Sequence, residues 1–155
     1  RLRVDRVDQL ADGSRMIIDY KSRSSSVQDW FGDRPAQPQL PLYRIAEPES
    51  VTGMAFGVVR PRECRFVGLG PVAAAPGISS DLSRLAKIGV DVQEWSELGE
   101  YWRNTLERLA ATFVAGDAPV DPLTASNCTW CGLQPLCRIG DRFDDLAESE
   151  QDNAV

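Results

Sequence analysis

Two strand-like stretches bracket an Asp12-Gly13 turn near the start of the chain, and this pattern constrains the fold more than any other. Asp-Gly between such runs is a strong local signal for a β-hairpin. One arm reads Asp5-Arg6-Val7-Asp8 and the other Met16-Ile17-Ile18-Asp19-Tyr20-Lys21. Side chains alternate along a strand, so Asp19 and Lys21 share one face and Tyr20 takes the other. With Asp5 across from Asp19 or diagonal to it, two carboxylates and one ammonium meet on a single patch. Crowded carboxylates repel unless a proton or a cation lies between them. A hard divalent ion with oxygen ligands meets that need, and Mg²⁺ does so with few protein ligands plus waters. Ile17-Ile18 runs straight into Asp19, so the acid ends a strand that reads as buried. Buried acids need a partner or a function. An ordinary surface hairpin that happens to carry charge fits the same spacing.

Composition narrows the class. The chain has 155 residues, 43% apolar and 26% charged, the values of one globular domain with a real core. The formal net charge is −6, which alone argues against broad non-specific nucleic-acid binding. The acidity is uneven, however. Residues 141–152 hold six acids against Arg142, whereas residues 1–23 hold five arginines and a lysine against four aspartates. The opening stretch is therefore not itself acidic. No histidine is present, which excludes Ser-His-Asp and Cys-His centres and any His-ligated metal within this sequence. No apolar run is long enough for a membrane span and no signal peptide is visible, so a cytoplasmic location is expected.

Residues 22–38 form a polar loop in which Trp30 is an aromatic anchor. Residues 39–47 read as a short helix ended by Pro48, with Gln39 and Tyr43 on one face and Leu42 and Ile45 toward the core. Such a Gln–Tyr pair can hydrogen-bond a phosphate or a base. Residues 51–60 are a β-branched stretch suited to a central strand, and residues 64–69 a second strand, with Cys64 an ordinary half-buried thiol. Residues 71–90 are a long connection with a short helix near 82–87. Trp95, Leu98, Trp102, Leu106, Leu109 and Phe113 then mark an amphipathic helix over 91–115, ended by Gly116 and Pro119. Cys128, Cys131 and Cys137 make a C-x2-C-x5-C run. Thiolates so spaced suit a metal or cluster site better than a disulfide scaffold, and both zinc and Fe–S fit. A fourth ligand is required, and Cys64 is one candidate. The acidic tail, 141–155, is set apart from a core spanning 1–140.

Val4-Asp5-Arg6-Val7-Asp8, Ile18-Asp19-Tyr20-Lys21 and Gln39-Leu40-Pro41-Leu42-Tyr43 resemble, in order, the motifs of the PD-(D/E)XK nuclease superfamily. Together with Cys128, Cys131 and Cys137 they look most like RecB-family nuclease domains, AddB-type subunits and Cas4-type exonucleases. The resemblance implies an α/β fold, a restriction-endonuclease-like core with a mixed β-sheet flanked by helices. It implies that Asp5 and Asp19 bind metal, joined by the Tyr20 carbonyl, that Lys21 is the catalytic lysine, and that Gln39 and Tyr43 arrange the active centre. Asp8 falls on the other strand face and is expected to be structural. The cysteines resemble the last three ligands of a [4Fe–4S] cluster. The family's earlier helical segment and first cysteine are not in this sequence, so the chain reads as the C-terminal core of a larger nuclease domain.

The activity so implied is Mg²⁺- or Mn²⁺-dependent hydrolysis of DNA phosphodiesters, exonucleolytic, in repair or recombination, beside a helicase or helicase-like domain. Lys21 would orient water or offset charge on the phosphate without acting as the base, since a protonated lysine cannot accept a proton. Arg6, Arg23 and Arg34 are candidates for phosphates, and Trp30 for stacking on a base. Two rival readings stand beside this: a catalytically inactive DNA-binding or scaffold module, and a small zinc-binding domain for protein contacts.

Overall fold

The structure, a computed structural model, describes residues 3–47, 51–124, 126–129 and 131–139. The chain divides into two compact units, residues 1–111 and 112–155. The first unit is built on one five-stranded sheet, β1 (Arg6–Gln9), β2 (Arg15–Lys21), β3 (Val51–Arg60), β4 (Glu63–Leu69) and β5 (Ile78–Ser79), in that spatial order. β1 and β2 are antiparallel, β2 and β3 parallel, β3 and β4 antiparallel, and β4 and β5 parallel. This is the mixed sheet of the restriction-endonuclease-like α/β class.

The opening hairpin forms around residues 10–14. Gly13 sits at φ 84°, a left-handed conformation that glycine adopts without strain. Asp12 accepts hydrogen bonds from the Ser14 amide and hydroxyl, which fixes the turn and holds the Asp12 carboxyl below its usual pKa range. α1 (Gln39–Ala46) lies between β2 and β3 in sequence, and such a crossover is what lets two consecutive strands of one sheet run parallel.

Strand alternation divides the core into two layers. Ile17, Met54, Phe56, Val58 and Leu69 pack with Leu40 and Tyr43 of α1 and with Leu98 and Trp102 of α2 (Trp95–Val114). Met16, Ile18, Ala55 and Ile78 form a smaller cluster on the opposite face. There the Tyr20 ring lies over Gly57, where an added Cβ would come within 2.8 Å of it. Among the described residues of this unit, the helices that contribute to the core do so on the first face only.

α2 brings Trp95, Tyr101 and Trp102 to that layer. Trp102 is fully buried, its indole N–H donates to the Trp30 carbonyl at 3.0 Å, and its ring stacks at a tilt on Phe31. The helix start is closed by Glu97, whose carboxylate accepts from the Gln93 and Glu94 amides; those donors hold its pKa below the usual range. Toward its other end the apolar stripe comes out into solvent, with Phe113 74% exposed.

Three sequence expectations need correction. Leu42 is exposed and the buried face of α1 is Leu40, Tyr43 and Arg44, because the i, i+3, i+4 set that meets the sheet starts two residues earlier. The Arg44 guanidinium is stacked over the Trp95 ring at 5.8 Å, and burial lowers its pKa. Cys64 is exposed, since it lies near the hairpin end of β4. Trp30 is fully buried against Phe56, with ring centroids 5.1 Å apart, so its ring is not available to stack on a base.

In the second unit, α3 (Ser126–Thr129) and α4 (Gln134–Cys137) are single turns. The acidic tail from 141 onward lies outside the described residues. Trp102→Ala should cost about 3–5 kcal/mol, a large part of a typical domain's stability. Urea denaturation followed by far-UV circular dichroism measures this, and a midpoint unchanged from the parent would contradict the packing described.

Candidate active site

Asp19 lies on β2 between the buried Ile18 and the exposed Tyr20, and it is itself 3% exposed. Its neighbour on β3 is Phe56, and that of Lys21 is Val58, so both polar side chains project on the face that carries the helices. The Lys21 ammonium sits 2.8 Å from Asp19 Oδ2 and 5.5 Å from the centroid of the Phe56 ring. Phe56 is thus the floor under the amine. Asp19 Oδ2 is buried, and the Lys21 ammonium is the partner that meets it among the described residues. Burying a carboxylate costs free energy that one partly solvated counter-charge offsets only in part.

Asp5 reaches the same place from the other arm. The hairpin register pairs Arg6 with Ile18, and one further step sets Asp5 across from Asp19. The Asp5 carboxylate accepts a hydrogen bond from the Tyr20 amide at 3.1 Å, which fixes it beside the Asp19–Tyr20 peptide. Asp5 is exposed, so one acid of the pair is open to solvent and the other is sunk into the core. Asp8 projects with Met16 on the opposite sheet face and pairs with Arg6 at 2.6 Å. Arg6 also donates to the Tyr20 hydroxyl, and Asp8 and then Tyr20 raise its pKa.

Gln39 and Tyr43 form a relay one turn long on α1. The Gln39 amide donates to the Tyr43 hydroxyl at 2.9 Å, and that hydroxyl donates to the Arg3 carbonyl. Arg3 is two residues ahead of Asp5. The Tyr43 ring is buried and its hydroxyl is committed to the backbone, so the pair braces the segment that delivers Asp5. The sequence reading of this pair as a direct contact for a phosphate or base missed that carbonyl, because no pattern in the sequence predicts which backbone oxygen a helix face will meet. The Phe56 floor was missed too. Its placement follows from the parallel register of β2 and β3, which local periodicity does not encode.

Cys128, Cys131 and Cys137 lie in the second unit with all three thiols free. The Cys131 amide donates to the Cys128 carbonyl and the Cys137 thiol to the Gln134 carbonyl, at 3.2 and 3.7 Å. Among the described residues no group of three or more His, Cys, Asp or Glu side chains is gathered to hold a metal. Asp5 and Asp19 are two acids, which suits an ion that keeps waters or takes substrate oxygens for its remaining positions better than one in a full protein cage.

The family model of the PD-(D/E)XK nuclease superfamily matches residues 2–138, nearly the whole chain. No curated protein and no solved structure matches it significantly.

If Asp19 Oδ2 awaits a cation, Lys21 competes for it. In metal-free buffer Lys21→Ala should lower stability by on the order of 2 kcal/mol, since a buried carboxylate loses its counter-charge while the lysine was partly solvated. Millimolar Mg²⁺ or Mn²⁺ should then raise the variant's melting temperature more than the parent's, and Asp19→Asn should remove that rise. Melting curves indifferent to both ions in all three proteins would rule out a cation site.

Proposed function

The chain belongs to the PD-(D/E)XK nuclease superfamily, and on that premise we propose that it is a Mg²⁺- or Mn²⁺-dependent deoxyribonuclease, exonucleolytic, working on DNA in repair or recombination. The observation that carries this reading is the buried Asp19 carboxylate with Asp5 fixed across the hairpin and Lys21 alongside. Asp5 and Asp19 would hold the ion, and the Tyr20 carbonyl leaves β2 on the edge to which the Tyr20 amide already points. Lewis-acid polarisation of the phosphate and a more acidic water are what such an ion supplies when bound.

The chain's own residues do the rest. Lys21 is a donor over an aromatic floor, with 23% of its side chain exposed, so it meets solvent and a bound phosphate from one position. Its charge offsets the negative charge that builds on the phosphoryl oxygens, and its N–H groups orient the attacking water. Gln39 and Tyr43 brace the segment that carries Asp5, through the Arg3 carbonyl. Cys128, Cys131 and Cys137 supply donors of the right type for three positions of a [4Fe–4S] cluster, and a helicase or helicase-like domain is the partner this reading assigns. Zinc at the same thiols is the competing assignment.

Lys21→Ala should reduce cleavage of a labelled oligonucleotide at least about a hundredfold while leaving the metal-dependent melting shift in place. Asp19→Ala and Asp5→Ala should remove both activity and shift. Retained cleavage in Lys21→Ala would end the catalytic role assigned to that residue, and no cleavage by the parent in either ion would favour the inactive DNA-binding module. Iron with sulfide in anaerobically purified protein would support the cluster, and stoichiometric zinc would replace it.

A further inference from the structure

The β3–β4 hairpin ends in Arg60-Pro61-Arg62-Glu63-Cys64-Arg65, three arginines against one acid in a chain whose net charge is −6. Cross-strand register places them. Lys21, Val58 and Arg65 lie in one row across β2, β3 and β4, and Arg60 lies opposite Glu63 one step nearer the tip on that same face. Arg65 therefore follows Lys21 two strands away, roughly 10 Å at the usual strand spacing, on the face of the proposed active site.

The two arginines are not loose. Glu63 accepts from Arg65 Nε at 2.5 Å on one oxygen and from Arg60 on the other, and Arg65 and then Arg60 hold its carboxyl below the usual range. Both grips use the Nε side of the guanidinium. Among the described residues the terminal nitrogens of Arg65 have no protein acceptor, and about half of its side chain is exposed. One carboxylate thus fixes two forks that each keep donors for an outside anion, which lowers the ordering cost of using them.

Arg62 supplies a second, independent observation. It occupies the turn at φ 66°, a left-handed conformation that glycine adopts freely, asparagine and aspartate tolerate, and other residues with a Cβ disfavour. An arginine at such a place makes the hairpin less stable than glycine would, and its charge is what it brings.

We propose that Arg60, Arg62 and Arg65 form a clamp on the phosphate backbone of the DNA strand leaving the Asp5–Asp19–Lys21 centre, within about three nucleotide steps of the reacting phosphate at about 3.4 Å each. The clamp takes its substrate from the nuclease reading, but its test does not need cleavage. Binding of a fluorescein-labelled single-stranded oligonucleotide to the full chain is measured by anisotropy in EDTA across a salt series. Each phosphate contact on a single strand contributes about 0.7 to the slope of log affinity against log salt. Arg60→Gln with Arg65→Gln should flatten that slope by roughly 1.4 and weaken binding about tenfold or more at low salt. Arg62→Gly should flatten it by about 0.7 while the melting temperature stays level or rises, a combination that a merely structural arginine would not give. Slopes unchanged in both variants, or a parent chain with no salt-dependent binding, would overturn the clamp. Flattened slopes in a protein that never cleaves would leave the clamp standing and remove the hydrolytic reading instead.

Discussion

A carboxylate sunk to 3% exposure with an ammonium 2.8 Å away is the constraint on which the first unit depends. Desolvating Asp19 is costly, and the Lys21 charge, itself partly solvated, only partly offsets it. The apolar packing around it has to carry the remainder. Ile17 and Ile18 wedge the strand between two layers, and the Phe56 ring seats the lysine. The surrounding core is what holds Asp19 and Lys21 in that arrangement.

The second acid is governed differently. Asp5 is solvent-exposed, and its position comes from two tethers: its own bond to the Tyr20 amide, and the Gln39–Tyr43–Arg3 relay behind it. The first tether ties Asp5 to the strand that carries Asp19 and the second ties its approach to α1. Both acids are therefore referred to one frame, β2 with α1 packed on it. Short side chains on rigid elements are what a metal-dependent centre needs, since small displacements there are expensive.

Much of this was legible in the sequence, and the reason is local. The Asp12-Gly13 turn, the alternation of Asp19 and Lys21, the β-branched run from Val51 and the i, i+3 and i, i+4 spacing of Trp95, Leu98, Trp102 and Leu106 each report on a few consecutive residues. What the sequence hid is long-range. Whether β2 and β3 run parallel, which ring lies beneath Lys21, and which backbone oxygen Tyr43 meets depend on contacts between distant segments. Leu42 illustrates the limit: its type favours the core, but the face of α1 is chosen by what the sheet presents, and Arg44 is buried in its stead. Trp30 makes the same point, since a tryptophan in a polar loop reads as surface-active until Phe56 and Trp102 are seen to enclose it.

β1 is only four residues long, its residues are mostly exposed, and among the described residues it is paired on one side alone, yet the segment leading into it delivers Asp5. β2 and β3, by contrast, are paired on both sides within the buried layers. Amide exchange should therefore be uneven across the sheet, fast at the rim and slow in the middle. A fluctuation that frays the rim strand takes one carboxylate away and leaves the other in place. Heating would then separate the two carboxylates through a partial opening before the core gives way, and cooling would bring them back together without any need for refolding.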